Sequence, residues 1–574
     1  MKTLTSSKRW LLATPASAEH LNRYRDMNAV LAQVLYNRGF DNADDAFQFL
    51  QANQAPFNPF ELKGMNQAVS RIRNAIRKSE PIIIYGDFDA DGVTATALLV
   101  TALQALGASV KPYIPHRIDE GYGLNSAALS KLARAGVRLV ITVDCGIRSV
   151  KEVADGKSYG LDMILTDHHS VGSDIPPADA VINPKQPDCK YPEDMLAGVG
   201  IAYKLADALF RATAQDRHSK QPDIPLESLL DLVAIGTVAD LAPLDRLENR
   251  VLVQRGLDVI NDGTRPGIRA LIEVVAARNG AIDAGRIGYA LGPRINAAGR
   301  LESAMTAFHL LTAQDMTQAS RLANELQTLN TRRQELTRQA QDMIRDRLDG
   351  SGETEAPLIF AQDASFQPGI VVLVAGRLAE EYYRPAVVME LGKEESRASC
   401  RSIPQFDITE ALDQCADLLV RHGGHAQAAG LTVRNENIPA LRARLTEIAA
   451  TQLSGQELTP TIDIDVELPY ELLDLPLAEE LTRLEPTGHH NRPPIFMSRG
   501  LRVVERRAVG KENQHLRLRL SQPGHRSLDA IGFGLGDRLS DLPEIIDVAY
   551  ELTVNEWNGT RTAQLSLQDV RGAE

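Results

Sequence analysis

The stretch IIIYGDFDADGVTATALL, residues 82–99, carries three aspartates, Asp87, Asp89 and Asp91, between an apolar run and a helix-like run. The apolar run is short and rich in β-branched residues, as buried strands are. Carboxylates at alternate positions repel one another, so their crowding at the end of a strand is unfavourable unless a cation lies among them. The stretch therefore predicts a strand, a turn that holds a cation and a helix, in that order.

Two later stretches repeat the arrangement of an apolar run that ends in polar residues. They are RLVITVDCG, residues 138–146, and DMILTDHH, residues 162–169, with a helix-like segment before each. Strands that alternate with helices predict an α/β domain with a parallel, doubly wound sheet. Ligands in such sheets gather at the carboxyl ends of the strands. We expect eight candidate residues at strand ends: Asp87, Asp89, Asp91, Asp144, Asp167, His168, His169 and, in GTVADLAPL, Asp240.

Each of these pieces has an ordinary explanation when it stands alone. An Asp-X-Asp sequence is usually a turn or a solvated strand end, and a His-His pair is usually a surface or core pair with satisfied hydrogen bonds. All of them together, in one α/β unit, favour a metal site. Mixed carboxylate and imidazole donors suit Mn²⁺ or Mg²⁺, with zinc less favoured without cysteine. Two such ions a few ångströms apart would activate a water molecule and stabilise the leaving oxygen in phosphoryl transfer.

Length and composition narrow the remaining function classes. The chain has 574 residues and a net charge of −13, which argues against a uniformly basic sleeve for nucleic acid but not against a local basic groove. Four cysteines without a Cys-X-X-Cys pair fit a reducing compartment better than a disulfide scaffold. The N-terminal apolar run is too short for a signal peptide, and no apolar stretch reaches 18 residues. We expect a soluble, cytoplasmic protein.

Changes in the pattern of apolar and polar residues divide the chain into five predicted segments. Alternating runs such as HLRLRL predict a small C-terminal β-barrel of the OB-fold type. Leucines at heptad-like spacing predict one long central helix, either an ordinary packed helix or a rigid connector between domains. The segments are a helical N-terminus over 1–75, a first α/β domain over 76–312, the long helix over 313–349, a second α/β domain over 350–455 and the barrel over 456–574.

Several short segments resemble the signatures of one superfamily. YGDFDADG, VDCG, TDHH and VADLAPL are similar, in order and spacing, to the four motifs of the DHH phosphoesterases. GGHAQAAG resembles the glycine-rich signature of the DHH-associated domain. PRINAAGR, EGYGL and the predicted barrel resemble, within that superfamily, the RecJ family of bacterial exonucleases that act on single-stranded DNA. The resemblance covers about residues 60–574.

The resemblance implies roles for the strand-end residues. Two ions would be ligated by Asp89, Asp91, Asp144, His168 and Asp240, with Asp144 as the bridge between them. Asp87 would either complete the first site or hold a ligand in place. Asp167 would orient a histidine, and His169 would contact the scissile phosphate. Ser170 follows the two histidines where many members of the superfamily carry an acidic residue or a proline-containing turn, a departure that we do not expect to abolish activity.

The resemblance also implies where the nucleic acid is held. HRIDEGYGL, residues 116–124, and ASCRSI, residues 398–403, would form a pocket for a 5′-phosphate, since arginine forks suit phosphate and an aromatic ring stacks on a base. PRINAAGR would lie at the mouth of the cleft, and GGHAQAAG would be a loop that lets backbone approach phosphates closely. The implied substrate-binding residues are Arg117, Tyr122, Arg294, Asn296, Arg300, Ser399, Arg401, Gly423, Gly424 and His425.

Simpler explanations stay open for these segments. Arg117 beside Asp119 and Glu120 would be a surface ion pair, GYG a turn and GGH a helix cap. The acidic net charge is compatible with DNA binding if basic residues line one narrow groove between the two α/β domains, which would exclude duplex. In the barrel, Arg517 and Arg519 are either a stripe that follows the DNA backbone or the solvent face of an amphipathic strand.

The function that we expect is a metal-dependent 5′→3′ exonuclease on single-stranded DNA that releases 5′-mononucleotides. The resemblance implies roles in recombination, double-strand-break repair and mismatch repair, with a single-strand-binding protein and a recombination helicase as partners, and a monomer. One alternative is a DHH hydrolase of short oligonucleotides, cyclic dinucleotides or pyrophosphate. The other is a replication scaffold without catalysis, which the presence of all the expected ligands disfavours.

Overall fold

The computed structural model describes residues 8–24, 27–52, 57–117, 120–275, 281–557 and 559–573. Contacts divide the chain into two units, each described by itself below. The first comprises Met1–Tyr113, Gly123–Gly292 and Pro460–Glu574, and the second comprises Ile114–Tyr122 and Pro293–Thr459. Ile118 and Asp119 of the predicted HRIDEGYGL segment lie outside the described residues.

The N-terminal part of the first unit is mainly helical. A short strand, β1 (Arg9–Leu12), pairs in parallel with residues Thr461–Ile464 near the other end of the chain. The helices are α1 (Ala18–Leu21), α2 (Ala29–Asn37), α3 (Ala43–Gln51) and α4 (Met65–Arg77).

A sheet of five parallel strands forms the centre of the first unit. The strands are β2 (Ile82–Gly86), β3 (Val110–Tyr113), β4 (Leu139–Val143), β5 (Asp162–Thr166) and β6 (Ala180–Ile182). Their order is β3-β2-β4-β5-β6. Every residue of β2 and β4 is buried, as expected of central strands covered on both faces. The predicted parallel α/β sheet is thus confirmed.

Helices follow the strands and continue beyond the sheet. They are α5 (Ala90–Ala105), α6 (Ser126–Arg134), α7 (Val150–Ser158), α8 (Gly198–Ala214), α9 (Leu230–Ala239), α10 (Leu247–Asp262), α11 (Pro266–Val274), α12 (Ala284–Arg286) and α13 (Gly292–Leu301). A π-helical turn, Ile287–Leu291, joins the last two.

In the second unit, which includes α13 from Pro293 onwards, the next helices are α14 (Met305–Leu311) and the long α15 (Met316–Ser351). Asp315 caps the start of α15, and the left-handed Gly352 ends it. Leu322, Leu326 and Leu329 are buried, and Leu336 and Met343 pack against the core of this unit. Within its own unit, α15 is therefore a packed helix.

A mixed sheet of five strands completes the second unit. Its elements are β7 (Ile359–Asp363), α16 (Val371–Tyr382), β8 (Ala386–Glu390), β9 (Glu395–Arg401), α17 (Ile408–Asp413), β10 (Leu419–His425), β11 (Ala428–Arg434) and α18 (Ile438–Gln452). The order is β10-β11-β9-β8-β7, and only β7 and β8 are parallel. This is the predicted second α/β region.

The C-terminal residues of the first unit form a closed barrel. The elements are β12 (Thr461–Ile464), β13 (Val466–Glu467), α19 (Leu475–Leu481), β14 (Phe496–Val509), β15 (His515–Ser521), β16 (Leu528–Gly532), β17 (Ile545–Trp557) and β18 (Thr560–Gly572). Strands run β14-β15-β16-β18-β17, and pairing of β17 with β14 closes the ring. In β15 every second residue, Leu516, Leu518 and Leu520, is buried, which confirms the predicted alternation.

One buried arginine ties the barrel segment to the α/β part of the same unit. Arg250 on α10 is fully buried. Its guanidinium donates to the carbonyl of Phe49 and to four consecutive carbonyls just before β14, those of residues 483–486. It also lies over the ring of Phe49, 4.1 Å from the centroid.

Across the described residues, we find no helix that combines the length and the apolar character required to cross a membrane.

Candidate metal centre and phosphate-binding residues

The register of the parallel sheet brings three aspartates together. The last residues of β2, β4 and β5 pair with one another, so the residues that follow, Asp87, Asp144 and Asp167, leave the sheet side by side. Asp144 has a left-handed backbone with φ 60°, which is uncommon outside glycine and costs free energy. Asp89 is the N-cap of α5, and Asp91 lies in the first turn of that helix. Five carboxylates therefore lie at one edge of the sheet.

The expectation that Asp240 lies at a strand end is wrong. Asp240 is the C-cap of α9, and it reaches the cluster from a helix. Its Oδ2 atom lies 3.6 Å from Nε2 of His168. The segment LDLVAIGTVA of α9 is apolar on all sides, and a short run of this kind does not distinguish a buried helix from a buried strand.

The side chains group into three sets of potential metal ligands. In each set, one donor atom per residue lies within 4.8 Å of the others. The sets are Asp87, Asp89 and Asp144; Asp91, His168 and Asp240; and Asp144, His168 and His169. Asp144 belongs to two of them and His168 to two, so these residues lie between the outer carboxylates. This arrangement is compatible with two neighbouring cations.

Within the described residues, two buried atoms that are able to bind a metal ion make no hydrogen bond. Oδ1 of Asp144 and Nε2 of His168 are 3.1 Å apart, and neither makes a hydrogen bond in the part of the chain that the structure describes. Buried polar atoms are normally paired, so such an omission needs an explanation. A divalent cation between them would satisfy both. The donors present fit Mn²⁺ or Mg²⁺.

Without a cation the cluster is electrostatically strained. Burial, and then the charge of Asp89, raises the pKa of Asp91 to about 7. Burial and the charges of Asp91 and Asp89 raise the pKa of Asp240 to about 9. Burial and the neighbouring carboxylates raise the pKa of Asp144 well above its usual range. These carboxylates are poised to exchange a proton for a metal ion.

The two histidines lie in different environments. Burial, and then the charge of His169, lowers the pKa of His168 to about 3, so its imidazole is neutral and can donate a lone pair. His169 is more exposed, and its Nδ1 lies 2.7 Å from Oδ1 of Asp167. Burial opposes protonation of His169, but the hydrogen bond with Asp167 raises its pKa above the usual value. Asp167 also accepts a hydrogen bond from the amide of Ile147, which fixes its carboxylate.

Glycines that sequence reasoning missed let the backbone approach these carboxylates. The amides of Gly198 and Val199, at the start of α8, donate to the two oxygens of Asp91. A Cβ atom on Gly198 would lie 2.7 Å from Cβ of Asp144, and one on Gly236 would lie 3.0 Å from Oδ1 of Asp91. The glycines of AGVG and AIGTV are the only signal in the sequence, and nothing local links them to Asp91.

A buried asparagine that the sequence analysis also missed supports the histidines. Asn183 follows β6 at the same edge of the sheet, and its amide donates to the carbonyl of His169. Its side-chain oxygen accepts from the amide of Lys185. The charge of Lys185 acts on both His168 and Asp240. The only sequence signal was the position of these residues after a strand.

The predicted substrate-binding residues all belong to the second unit. Arg117 and Tyr122 lie in Ile114–Tyr122, which that unit includes, while Ser399 and Arg401 lie on β9. Ser399 and Arg401 share one face of the strand, and Ser399 pairs with Gly430, whose lack of a side chain leaves that face open. Burial lowers the pKa of Arg401. Arg401 makes no ion pair among the described residues, and its guanidinium donates to the carbonyl of Cys400.

Gly423, Gly424 and His425 do not form the predicted loop, and they do not cap a helix. They are the last residues of β10, the edge strand of the second sheet, and a two-residue turn connects them to β11. All three are exposed. The sequence signal was misread because paired glycines are usually found in loops, whereas here they form an open strand edge.

The remaining arginines are held by specific contacts. Arg294, Asn296 and Arg300 lie on α13. Nε of Arg294 donates to Gln327, and Nη1 of Arg300 donates to the carbonyl of Gly369. In the barrel, Arg517 and Arg519 both face Asp529, at 3.6 and 3.5 Å, which favours the solvent-face alternative for that strand.

The fold and this site define a class of protein: α/β phosphoesterases that work with divalent metal ions. Three family models match the chain. They are the DHH family, N-terminal domain over residues 81–237, the DHHA1 domain over residues 355–451 and the RecJ OB domain over residues 464–569. The predicted DHH domain and DHH-associated domain are thus confirmed.

Relatives match over nearly the whole chain. The single-stranded-DNA-specific exonuclease RecJ of Bacillus subtilis is 37% identical over 578 residues, covering 100% of this chain and 72% of that protein. The protein of the same name from Escherichia coli is 35% identical, covering 95% and 96%. The crystal structure of RecJ from Thermus thermophilus in complex with Mn²⁺ has a TM-score of 0.83 and 33% identity, covering 99% of this chain and 80% of that one. The chain belongs to the RecJ family, and the predicted resemblance is confirmed.

Proposed function

We propose that this protein is a metal-dependent exonuclease that degrades single-stranded DNA in the 5′→3′ direction and releases 5′-mononucleotides. The observation that carries the proposal is the donor cluster, in which all six expected ligands lie together and two buried donor atoms lack hydrogen bonds. Relatives named as single-stranded-DNA-specific exonucleases support the substrate. RecJ structures in complex with Mn²⁺ and with Mg²⁺ support the choice of ion.

Different residues of the cluster would bind different ions. Asp87 and Asp89 would hold one ion, Asp91, His168 and Asp240 the other, and Asp144 would lie between the two. When bound, the ions supply an activated water and neutralise the charge that develops on the phosphoryl oxygens and the leaving 3′-oxygen. The hydrogen bond that His169 Nδ1 makes with the carboxylate of Asp167 fixes the imidazole ring, so that Nε2 of His169 would contact the scissile phosphate.

The second unit would hold the DNA strand. Arg401 is a desolvated cation without a carboxylate partner in the described structure, which suits a terminal phosphate. Ser399 would add a hydroxyl donor, and Arg117 would add a second guanidinium. Tyr122, with 58% of its surface exposed, would stack on the first base. Arg294, Asn296, Arg300 and the strand edge formed by Gly423, Gly424 and His425 would contact the backbone further along.

A substitution in this pocket tests the assignment of the 5′-phosphate. Arg401→Ala should reduce kcat/KM on 5′-phosphorylated strands by about tenfold or more, because a charge-assisted hydrogen bond is lost, with a smaller effect on 5′-hydroxyl strands. Arg397→Ala is the matched control, since Arg397 lies on the same face of β9 but is exposed. Equal losses of Arg401→Ala on both kinds of strand would argue against the pocket.

A series of substrate lengths tests the function against its rivals. With Mn²⁺ or Mg²⁺ present, kcat/KM should rise as single strands lengthen from two nucleotides to about twenty, because more phosphates and bases are contacted. A preference for dinucleotides or cyclic dinucleotides would favour the short-substrate hydrolase. Absence of cleavage with every metal, despite a folded protein, would favour the scaffold.

The cellular setting follows from the same proposal. The protein would act in the cytoplasm as a monomer, in DNA recombination and repair, on strands that a recombination helicase exposes. A single-strand-binding protein would be its partner on that DNA. Pull-down of purified candidates and the mass of the protein in solution test these points.

A further inference from the structure

Arg333 is a charged residue on the packed face of helix α15. Asn330 and Thr337, one turn before and one turn after it, are buried, as is Leu326 two turns before. Nε of Arg333 is buried and makes no hydrogen bond, and the side chain makes no ion pair, within the described residues. A half-buried guanidinium with a buried, unsatisfied Nε and no counter-charge is unfavourable, so its presence here needs a reason.

Two further arginines approach the same face of α15. Arg294 comes from α13, and its Nε donates to Oε1 of Gln327 at 2.8 Å. Arg377 comes from α16, and its Nη1 lies 3.5 Å from Oε1 of Gln341. Gln327 and Gln341 lie on α15 on either side of Arg333. In both of these contacts the acceptor is a neutral amide oxygen.

Arg333 lies close enough to Arg294 and Arg377 to be affected by their charges. Burial, and then the charges of Arg377 and Arg294, lowers the pKa of Arg333. The second unit thus gathers like charges around an unsatisfied donor, an arrangement that an anion with several oxygens would relieve.

We propose that Arg333, together with Arg294 and Arg377, binds an internal backbone phosphate of the single-stranded DNA, in addition to the terminal phosphate assigned to Arg401. The inference rests on the proposed function, since it takes the polyanion to be the DNA substrate. Each phosphate neutralised in this way releases counterions, so the contact should appear in the salt dependence of binding.

The test is Arg333→Met, which removes the charge and keeps most of the side-chain volume. Affinity for a 5′-phosphorylated single strand of about twelve nucleotides, measured with EDTA to prevent cleavage, should fall about tenfold. The slope of log affinity against log salt should become shallower by about 0.7. The melting temperature should stay the same or rise, because the repulsion among the arginines is removed.

Arg338→Met is the matched control, since Arg338 is an exposed arginine of the same helix. Arg377→Met is the second variant and should weaken binding in the same direction. If both Arg333→Met and Arg377→Met leave the DNA affinity and its salt dependence unchanged, the inference is overturned but the proposed function is not. The inference is also overturned if the melting temperature falls enough to explain the weaker binding by partial unfolding. A folded wild-type protein that binds no single-stranded DNA would overturn the proposed function with it.

Discussion

At the scale of single residues, the carboxylates that favour metal binding lower the stability of the metal-free protein. Asp144 combines a left-handed backbone with a buried carboxylate that faces other carboxylates. Each feature costs free energy in the metal-free protein, and a bound cation would reverse the electrostatic part. Two kinds of measurement, one on activity and one on stability, should therefore respond in opposite ways when a carboxylate is neutralised.

Asp91→Asn should separate these two effects. The asparagine keeps an oxygen that accepts from the amide of Gly198 or Val199, so α8 stays in place, but it removes a metal-binding charge. Activity should fall by more than the ~10–100-fold typical of residues that only orient a ligand. The melting temperature in EDTA should not fall. Asp174→Asn, at an exposed aspartate outside the cluster, is the control, and near-normal activity of Asp91→Asn would refute the role of Asp91 in metal binding.

The metal-free protein should lose stability as the pH rises. Folding raises the pKa of Asp91 to about 7 and that of Asp240 to about 9, so the folded state binds these protons more tightly than the unfolded chain. Their contribution to the free energy of unfolding is present at low pH and is lost as the pH passes through those values. Melting temperatures in EDTA should fall from pH 6 to about 9, and Mg²⁺ should remove that fall. Asp240→Asn should reduce the fall of the melting temperature with pH in EDTA. A wild-type melting temperature in EDTA that does not change with pH would contradict the raised pKa values.

At the scale of elements, the start of α8 is fitted against the cluster. Gly198→Ala would place a methyl group 2.7 Å from Cβ of Asp144 and 2.9 Å from Oδ2 of Asp91, so backbone must shift. We expect metal affinity and activity to fall at least about tenfold. Gly200→Ala on the same helix meets only ordinary contacts of 3.4 Å or more with Leu196 and should have little effect. Metal titration and activity assays compare the two variants. Equal results for Gly198→Ala and Gly200→Ala would show that the close approach of Gly198 to the cluster is unimportant.

The elements also show what the sequence could reveal. Asp87, Asp144 and Asp167 were predictable because each directly follows an apolar run that reads as a strand, and parallel strands align their ends. Asp240 was misplaced because α9 is apolar all round, and the strand edge at Gly423 was read as a loop. Gly198 escaped notice because its partner Asp91 is 107 residues away, and such proximity is decided by packing rather than by local pattern.

At the scale of the whole molecule, Arg250 joins distant parts of the first unit. It links α10 to the segment before β14 and to α3 through five backbone carbonyls. Arg250→Met should lower the free energy of unfolding by about 3 kcal/mol or more, because buried carbonyls lose their donors. Unfolding by denaturant measures this change in free energy. The control is Arg255→Met, because Arg255 is an exposed arginine on the same helix. A loss no larger than that of the control would mean that the carbonyls find other partners.

The carboxylate cluster should cleave single-stranded DNA from its 5′ end. The most direct test incubates the protein with Mn²⁺ or Mg²⁺ and one DNA strand labelled at either end, beside the matching duplex and Asp91→Ala. We expect early release of a labelled mononucleotide from the 5′ label, stepwise shortening of the 3′-labelled strand, a spared duplex and an inactive variant. Release from the 3′ label first, or equal cleavage by Asp91→Ala, would contradict this prediction.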